Sequence, residues 1–435
     1  MMPLPQPVRA CLDALESAGY SAWCVGGCVR DALLGLTPQD YDMCTSATPE
    51  EISRVFAHLP QVHNGEKHGT VGVILDHTLY EITTFRTEGG YLDHRHPDWV
   101  RFVSDIKEDL ARRDFTVNAM AYSPTRGLCD PFGGREDLQN KVLRAVGDPQ
   151  KRFSEDALRI LRGARFAVRY GLSVEESTEK AMFSLAGLLD DLARERVFSE
   201  FCKLLVLVSA EDLRQFAPLI TQVIPELAPA VGFDQRNPHH AFDVYTHTCH
   251  VVAGVPAELP LRWAALLHDV GKPATFTLDD DGHGHFLGHA KVSAELADAA
   301  LRRLKAPTAL REQVAFLIEK HMTPLQPDKK LLRRRLSRYG EENIRLLFAL
   351  QRADLGSKGV RGETQDFDRI AELLDEILAE NACLSIRDLA VDGHDLMALG
   401  LRGPQIGQTL QGLLDAVLDE RLPNEKQALL EAAER

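Results

Sequence analysis

The sequence lacks the features that mark secreted and membrane proteins. Its eight cysteines are scattered and form no C-x-x-C pair, which argues against a disulfide framework and against a zinc ribbon. The longest apolar runs, such as residues 201–208, are too short to span a bilayer. Residues 1–7 contain neither the basic segment nor the apolar run of a secretory signal. We therefore predict a reduced, cytoplasmic protein with no membrane partner, and the sequence leaves its oligomeric state open.

The chain also lacks an excess of basic residues. Lysine and arginine number 50 against 64 acidic residues, so the formal net charge is −14. Such a chain does not coat itself in nucleic acid by overall attraction, although a local basic groove stays possible. Its 435 residues correspond to about three domains, and the content of 44% hydrophobic and 26% charged residues is typical of globular proteins.

Two kinds of periodicity divide the chain near Asp148. Before this residue, short β-rich runs alternate with helical stretches and glycine turns, whereas nearly every long segment after it has helical periodicity. The predicted strands are 22–25, 70–75, 79–85 and 99–103, and the predicted helices include 156–169, 175–189, 194–208 and 370–378. The fold class is therefore α+β, with an α/β head followed by an α-helical remainder.

A double glycine ends the first predicted strand. Gly26 and Gly27 precede a short helix that carries Arg30. Glycine lets the backbone approach a phosphate closely, and a forked guanidinium beside it adds a cation. A plain tight turn explains the two glycines equally well when they are taken alone.

Two carboxylates follow in a segment that we predict to be extended. Side chains two residues apart on a strand share a face, so Asp40 and Asp42 point the same way with Cα atoms about 6.6 Å apart. This spacing lets them bracket a pair of divalent cations, as nucleotidyl transfer requires. Glu81, on a later predicted strand, is a candidate third carboxylate. The alternative is a solvated acidic turn.

Two further clusters combine arginines with carboxylates. Residues 112–118 place two arginines, Asp114 and Asn118 beside apolar anchors, which suits a ribose edge and a triphosphate. On the helix predicted from Glu155 onward, a polar stripe would face away from the apolar residues. Surface pairing is the alternative, but a stripe with three arginines would be strongly one-signed. Its members are Asp156, Arg159, Arg162 and Arg165.

These motifs, in this order, resemble those of the class II tRNA nucleotidyltransferases, which include the CCA-adding enzymes and bacterial poly(A) polymerases. The resemblance covers essentially the whole chain. The motifs that carry it are Gly26-Gly27-x-x-Arg30-Asp31, Asp40-x-Asp42, Arg112-Arg113-Asp114-Phe115-Thr116-x-Asn118 and Glu155-Asp156-x-x-Arg159. It implies a polymerase β-like nucleotidyltransferase head that adds CCA to the tRNA 3′ end from CTP and ATP without a nucleic-acid template.

The resemblance also implies roles for single residues. Asp40 and Asp42 would be catalytic and bind Mg²⁺, while Gly27 and Arg30 would contact the triphosphate. Arg113 and Asp114 would hold the ribose, with Asn118 nearby. Asp156 and Arg159 would read the base, with Arg162 and Arg165 adding nucleotide contacts. Residues 87–97 resemble the flexible loop that CC-only enzymes lack, so they argue for addition of A.

A second constellation lies in the helical part. His268 and Asp269 are adjacent at the end of an apolar helix, and further histidines and Asp354 flank them along the chain. Imidazoles mixed with carboxylates suit Mn²⁺, Ni²⁺, Fe²⁺, Co²⁺ or Mg²⁺ better than structural Zn²⁺. The pattern resembles the HD domain of metal-dependent phosphohydrolases. The resemblance assigns His247, His268, Asp269 and Asp354 to the metal site, and places His289 and His321 where two-metal versions add ligands.

Two other histidine-rich or basic segments have simpler interpretations. His283 and His285 fit a hairpin turn better than a metal site. The run 329–338 holds six cations in ten residues, which is usual for a solvated helix face but could also steer a tRNA backbone.

We therefore predict a CCA-adding tRNA nucleotidyltransferase with a fused HD domain, Mg²⁺ at the head and a transition metal such as Ni²⁺ or Mn²⁺ at the HD site. The alternatives are an A-adding tRNA nucleotidyltransferase, a poly(A) polymerase, or an HD phosphohydrolase whose head only binds RNA. The predicted domains are the head at 1–148, a helical neck for nucleobase and RNA binding at 149–230, the HD domain at 231–365 and a tRNA-binding helical tail at 366–435.

Overall fold

A computed structural model provides the structure of the chain. It describes residues 2–90, 99–237, 241–358, 367–380 and 382–434. The chain forms two compact units. The first consists of Met1–Val208 and Gln215–Pro225, and the second of Ser209–Arg214 and Glu226–Arg435. No helix in the described parts of the chain is long and apolar enough to cross a membrane. The four-part domain division stays a prediction.

Strands and helices alternate in the first part of the chain, as the sequence predicted. Up to residue 225 the elements are α1 (Gln6–Ser17), β1 (Ala22–Val25), α2 (Gly27–Leu33), β2 (Met43–Thr45), α3 (Pro49–Val55), β3 (Gln61–Val62), β4 (Thr70–Leu75), β5 (Thr78–Thr84), β6 (Arg86–Gly89), β7 (Trp99–Phe102), α4 (Ile106–Ala111), β8 (Ala121–Ser123), β9 (Gly127–Cys129), α5 (Gly134–Gln139), β10 (Val142–Leu143), α6 (Pro149–Glu155), α7 (Leu158–Tyr170), β11 (Ser173–Val174), α8 (Glu176–Ser184), α9 (Arg194–Leu205), α10 (Ala210–Gln215) and α11 (Ala217–Val223).

A seven-stranded sheet organises the first unit. Its strand order is β3-β4-β5-β2-β1-β8-β9, and all neighbours are antiparallel except the parallel pair β2 and β5. β1 and β2 are buried along their whole length, which fits their central place in the order. In the parallel pair Met43 lies opposite Ile82, so Asp42, which comes just before β2, is brought beside Glu81 in the middle of β5.

The helix predicted over residues 156–169 begins two residues later in the structure. α6 ends at Glu155, Asp156 has an extended backbone (φ −141°, ψ 100°), and α7 starts at Leu158. The Asp156 carboxylate accepts a hydrogen bond from the Leu158 N–H at 3.2 Å, so it supplies a partner for a free donor at the start of α7. The expectation that Asp156 belongs to the helical stripe is therefore wrong. It lies in the break before α7.

Helices dominate the rest of the chain. From residue 226 the elements are α12 (Val244–Gly254), α13 (Leu259–Leu267), α14 (Lys272–Thr275), β12 (Thr277–Leu278), β13 (Gly284–His285), α15 (His289–Arg303), α16 (Thr308–Lys320), α17 (Lys329–Tyr339), α18 (Glu341–Gly356), α19 (Phe367–Ala379), α20 (Gly393–Ala398), α21 (Pro404–Leu418) and α22 (Lys426–Ala433). The all-helical expectation holds apart from short strands. One pair is the hairpin β12–β13, where His285 Nε2 contacts Asp279 at 2.9 Å, as the turn interpretation predicted.

Candidate functional site

The double glycine allows close packing beside the end of β1. Gly26 has φ +76°, a conformation that L side chains rarely adopt. A Cβ atom on it would lie 2.9 Å from Nη1 of Arg113 and 3.7 Å from the Asn118 carbonyl oxygen. Gly27 is the first residue of α2. Gly26 thus lets two segments, β1–α2 and residues 112–118, meet without a side chain between them.

A chain of polar contacts links α2 to α7. Arg30 is buried and donates to Asn118 Oδ1, while Asn118 Nδ2 donates to Asp114 Oδ1 at 3.1 Å. The other oxygen of Asp114 accepts from Arg162 Nη2 at 2.8 Å and from its Nε at 3.1 Å. These contacts fix the orientation of the Asn118 amide, since its oxygen meets a cation and its nitrogen meets a carboxylate.

Asp114 is ionised at neutral pH because of its partners. Burial alone would raise the pKa of this carboxyl, but the adjacent Arg162 and the Asn118 amide outweigh burial and lower the pKa of Asp114 to about 2. Its charge is therefore matched within the protein, and Arg162 holds one of its two oxygens.

One of the two predicted catalytic carboxylates, Asp42, borders a small cavity. Asp42 and Glu81 line a cavity of about 170 Å³ together with Asp109, Arg112 and Arg113. Asp40 and Asp42 are both exposed by surface area. The surrounding protein nevertheless desolvates Asp42 enough to raise its pKa. The negative charge of Asp40 raises this pKa further, whereas the positive charge of Arg113 acts to lower it. The negative charge of Asp40 thus acts on Asp42, and carboxylate oxygens are the ligands that a hard cation such as Mg²⁺ prefers.

Asp109 holds two of the three arginines that line the cavity. It is buried, with Arg112 Nη2 at 2.9 Å from Oδ1 and Arg113 Nη2 at 3.3 Å from Oδ2. Burial acts to raise the pKa of Asp109, but the two cations together lower it. Arg113 Nε is buried and has no hydrogen-bond partner among the described residues. Arg113 therefore keeps a donor available beside Asp42.

The arginines of α7 are not a one-signed stripe. Arg159 Nη1 donates to Glu155 at 3.1 Å, Arg162 pairs with Asp114, and Arg165 Nε donates to Glu200 on α9. The sequence argument assumed that no carboxylates faced these cations, and that part of it is wrong. The partners come from α6, α9 and the segment after α4, so they are not visible in the periodicity of α7.

The second constellation forms a buried cluster in the second unit. Two groups of three ligands each lie with their ligand atoms within 4.8 Å of one another: His247, His268 and Asp354 form the first, and Asp269, His289 and His321 the second. His247 Nε2 lies 3.0 Å from Asp354, and His268 Nε2 lies 3.1 Å from Asp269. The Nε2 atoms of His289 and His321 are 3.3 Å apart. The structure thus brings together all six positions that the sequence proposed.

Backbone carbonyls orient the four imidazoles of the cluster. Nδ1 contacts a carbonyl oxygen in each of them, at 2.8 Å in His268, 2.7 Å in His289, 2.6 Å in His321 and 3.3 Å in His247. A donor Nδ1–H leaves Nε2 as a lone pair directed at the carboxylates, which is the orientation seen in metal-binding histidines. His268 Nε2 is buried without a hydrogen-bond partner among the described residues. Lone pairs facing carboxylate oxygens repel unless a cation lies between them, so the donor set fits a metal.

The charge states of the cluster agree with this fit. Burial, reinforced by the neighbouring His268, lowers the pKa of His321 to about 4, so its imidazole is neutral. Burial opposes protonation of His268, but Asp269 and Asp354 outweigh it and raise the pKa of His268. Lys272 Nζ, 2.7 Å from Asp269 Oδ2, supplies one buried positive charge. The two carboxylates thus attract positive charge to the position of His268, and a divalent cation bound to the cluster would supply that charge instead.

The basic helix α17 is largely neutralised by acidic partners. Lys329 lies 2.6 Å from Glu380, Arg333 pairs with Glu380 and Glu420, and Arg334 pairs with Asp419. These contacts leave fewer free cations than the sequence suggested. The steering of tRNA by this helix stays a prediction.

Three families of known proteins match segments of the chain. The poly A polymerase head domain matches residues 22–144, the RNA and SrmB binding site of polymerase A matches 171–230, and tRNA nucleotidyltransferase domain 2 matches 277–433. The CCA-adding enzyme of Streptococcus thermophilus is 33% identical over 96% of this chain and 94% of its own length. That of Streptococcus gordonii is 36% identical over the same shares of the two chains.

The chain belongs to the CCA-adding enzyme family. The crystal structure of the Bacillus stearothermophilus CCA-adding enzyme in complex with CTP aligns over 99% of this chain and 97% of that one, with a TM-score of 0.74 and 28% identity. The Thermotoga maritima CCA-adding enzyme complexed with tRNA aligns with a TM-score of 0.64 at 22% identity, which shows a shared fold. Family and fold therefore agree with the resemblance that the sequence motifs carry.

Within this CCA-adding family member, the structure adds side chains that the motifs did not single out. Tyr170 lies under Arg30, with the guanidinium carbon 4.2 Å from the ring centroid, and its hydroxyl accepts from Arg30 Nη2. The sequence motifs did not indicate that Asp109 pairs with Arg112 and Arg113, or that Lys272 pairs with Asp269, although both residues lie within a few positions of a motif. Residues 91–98, which include most of the predicted flexible loop, lie outside the described residues.

Proposed function

We propose that this chain adds CCA to the 3′ end of tRNA, using CTP and ATP and no nucleic-acid template. The observation that carries the proposal is the cavity that joins Asp42 to Arg113 beside the double glycine. It places acidic groups next to a cation with a free donor, as a triphosphate and its metal ions require. Membership of the CCA-adding family supports the same reaction.

The motif residues of the head each have a part in this reaction. Asp40 and Asp42 would hold Mg²⁺, with Glu81 at the same cavity. The metal would there favour ionisation of the attacking 3′-hydroxyl and offset charge on the leaving pyrophosphate, as in two-metal nucleotidyl transfer. Arg30, Arg113 and the backbone at Gly27 bind the triphosphate.

The ribose and the base are held on the α7 side. Asp114 accepts a hydrogen bond from a ribose hydroxyl and the Asn118 amide exchanges one with the ribose, while contacts with Arg30 and Arg162 keep the two side chains in place. Asp156 and Arg159 read the base, while Arg162 and Arg165 strengthen the nucleotide contacts. The helical parts bind tRNA by its shape and backbone.

Three tRNA substrates test this function. They end before CCA, after C and after CC, and each is incubated with CTP and ATP separately and together. Completion of all three supports the full reaction. Extension of the CC-ended tRNA alone would instead identify an A-adding enzyme, and long A tails on unrelated RNA would identify a poly(A) polymerase.

The histidine cluster supports a second activity, as in HD phosphohydrolases. Its six ligands hold a divalent transition metal, with Ni²⁺ or Mn²⁺ as candidates, which when bound polarises a phosphate ester toward hydrolysis. We propose a phosphatase or 2′,3′-cyclic phosphodiesterase activity. Loss of the head carboxylate in Asp40→Ala abolishes nucleotidyl transfer and leaves hydrolysis intact if the two sites are independent.

Purified protein loaded with Ni²⁺ or Mn²⁺ is assayed on 2′,3′-cyclic AMP and on a phosphate monoester. Hydrolysis that Asp40→Ala retains and His268→Gln loses supports the second site. Failure to hydrolyse either ester while nucleotidyl transfer stays active would refute it, and so would loss of both activities in Asp40→Ala. An HD phosphohydrolase whose head only binds RNA would show hydrolysis and no transfer at all.

A further inference from the structure

Tyr170, the last residue of α7, holds the buried guanidinium of Arg30 on α2. Its hydroxyl accepts a hydrogen bond from Arg30 Nη2, and the guanidinium carbon lies 4.2 Å from the centre of its ring. Burial raises the pKa of the Tyr170 hydroxyl, Arg30 opposes this effect and Asp31 adds to it, so the phenol stays protonated at neutral pH. Tyr170 therefore binds Arg30 through both its hydroxyl and its ring.

The partners of Arg30 leave one N–H group for a ligand. A guanidinium has five N–H groups in a rigid fork. Nε and Nη2 of Arg30 both donate to Asp31 Oδ1, at 2.9 and 2.7 Å. Nη1 donates to Asn118 Oδ1, and Nη2 also donates to Tyr170. Four of the five groups are thus engaged, and the second N–H of Nη1 has no acceptor among the described residues.

One face of α7 closes this set of contacts at both ends. Arg162, Phe166 and Tyr170 follow one another at intervals of four residues, so they lie along the same side of the helix. Arg162 pairs with Asp114 at 2.8 Å. The centre of the Phe166 ring lies 5.2 Å from the guanidinium carbon of Arg162 and 5.4 Å from that of Arg30. The helix thereby fixes the position of Arg30 relative to the carboxylate that we assign to the ribose.

We propose that Tyr170 is a positioning residue for the triphosphate of the incoming nucleotide and acts through Arg30. The inference rests on the proposed use of CTP and ATP. Because its partners already hold the guanidinium, the remaining N–H of Arg30 meets a phosphate oxygen without first having to be ordered. Tyr170 contributes equally to CTP and ATP, since both carry the same triphosphate, and it contributes nothing to base selection.

Tyr170→Phe tests this role because it removes the hydroxyl and keeps the ring. We expect CTP and ATP to bind about 5- to 10-fold more weakly, measured by calorimetry with Mg²⁺ and without tRNA. The inhibition constant of inorganic triphosphate rises by a similar factor, whereas that of cytidine, which has the base and the ribose alone, stays unchanged. KM for CTP and for ATP rises, and KM for tRNA does not. Tyr170→Leu also removes the ring and lowers the affinity for CTP about threefold more.

A double-mutant cycle determines whether Tyr170 acts through Arg30. In the Arg30→Lys background the forked guanidinium is absent, so we expect Tyr170→Phe to change the affinity for CTP by less than about twofold. Tyr245→Phe is the matched control, because the Tyr245 hydroxyl donates to the Leu213 carbonyl oxygen at 2.8 Å within the second unit. We expect this variant to bind CTP as the wild type does. Thermal melting of every variant separates a change in affinity from a loss of folding.

Three results would overturn the inference. The first is an unchanged affinity for CTP in Tyr170→Phe. The second is an equal loss for inorganic triphosphate and cytidine, since that indicates a general disturbance of the site. The third is a full effect of Tyr170→Phe in the Arg30→Lys background; if Arg30→Lys does not fold, the comparison of the two inhibitors decides alone.

The same experiments distinguish this inference from the proposed function. A wild type that incorporates neither CTP nor ATP into tRNA would overturn the proposed function and this inference with it. A wild type that completes CCA while Tyr170→Phe binds CTP normally refutes this inference alone.

Discussion

The pair Asp114–Arg162 offers a sharp test of how the nucleotide site is held. Asp114 is buried, and Arg162 contacts it through two nitrogens at 2.8 and 3.1 Å. In Arg162→Met the carboxylate keeps its contact with Asn118 but loses its closest cation. We expect a less stable first unit and a weaker hold on the ribose, because an ionised buried carboxylate then lacks its main partner.

The magnitude follows from the pKa of Asp114. The partners lower it from the ordinary 3.8 to about 2, a difference of about 1.8 that corresponds to about 2.4 kcal/mol. Asn118 and Arg159 contribute part of this, and the Arg162 side chain is 35% exposed, so solvent screens the pair. We therefore expect a coupling free energy of about 1–2 kcal/mol between Asp114 and Arg162.

The sign of the pH dependence is fixed by the direction of the shift. Because the pKa of Asp114 is lower in the folded state, its contribution to stability is complete above about pH 4. It is lost as the pH falls toward about 2. In Arg162→Met this loss is shallower and shifts to higher pH, since the folded-state pKa moves back toward 3.8.

A double-mutant cycle measures the coupling. The four proteins are the wild type, Asp114→Asn, Arg162→Met and the double variant, unfolded in urea at pH 7 and pH 3 and followed by circular dichroism and tryptophan fluorescence. The exposed pair Glu176–Lys180 serves as a reference cycle for a solvent-screened contact. Additivity of the Asp114 and Arg162 variants within about 0.4 kcal/mol at pH 7 would refute the reasoning.

Three further predictions concern other parts of the molecule. Gly26→Ala lowers nucleotidyl transfer at least about tenfold, because its Cβ would meet Arg113. Gly35→Ala is the control: Gly35 has a similar φ of +73° but no atom within 4 Å of the added Cβ, so this variant suffers backbone strain alone. Measurements of kcat/KM and of the melting temperature distinguish the two, and an equal loss of kcat/KM in both contradicts the reasoning. Ni²⁺ or Mn²⁺ raises the melting temperature of the wild type, and EDTA reverses the increase. Asp354→Asn shows no such increase, and calorimetry that finds the same increase in this variant and in the wild type contradicts the metal site. Arg334→Gln weakens RNA binding less than Arg338→Gln, because Arg334 is already paired with Asp419. The affinity for RNA, measured over a range of salt concentrations, compares the two variants, and equal losses of affinity contradict the prediction.

Local sequence determined much of the head. β1 and β4 match the predicted strands, β5 and β7 differ from them by a residue, and the motif residues stand at the ends of these elements. Strand periodicity and a glycine pair are local signals, so they survive without knowledge of the fold. The same holds for the turn at His283 and His285, which the hairpin β12–β13 confirms.

The break before α7 shows where local reasoning ended. The sequence placed Asp156 in the first turn of a helix, yet that helix begins two residues later at Leu158, and Asp156 is extended before it. An aspartate is favourable both just before a helix and in its first turn, so the pattern alone did not decide between these positions. The side-chain contact to the Leu158 N–H, seen only in the structure, settles which one occurs.

What the sequence by itself determined is the set of chemical groups: a double glycine, acidic pairs, arginines and six metal-type ligands in a recognisable order. What only the tertiary structure decided is which group faces which. Arg30 meets Asn118 across 88 residues and Tyr170 across 140, and His247 meets Asp354 across 107. Such contacts arise from packing between distant elements, and no periodicity along the chain encodes them. For this reason the charge of the α7 arginines, one-signed in the sequence, is balanced in the fold.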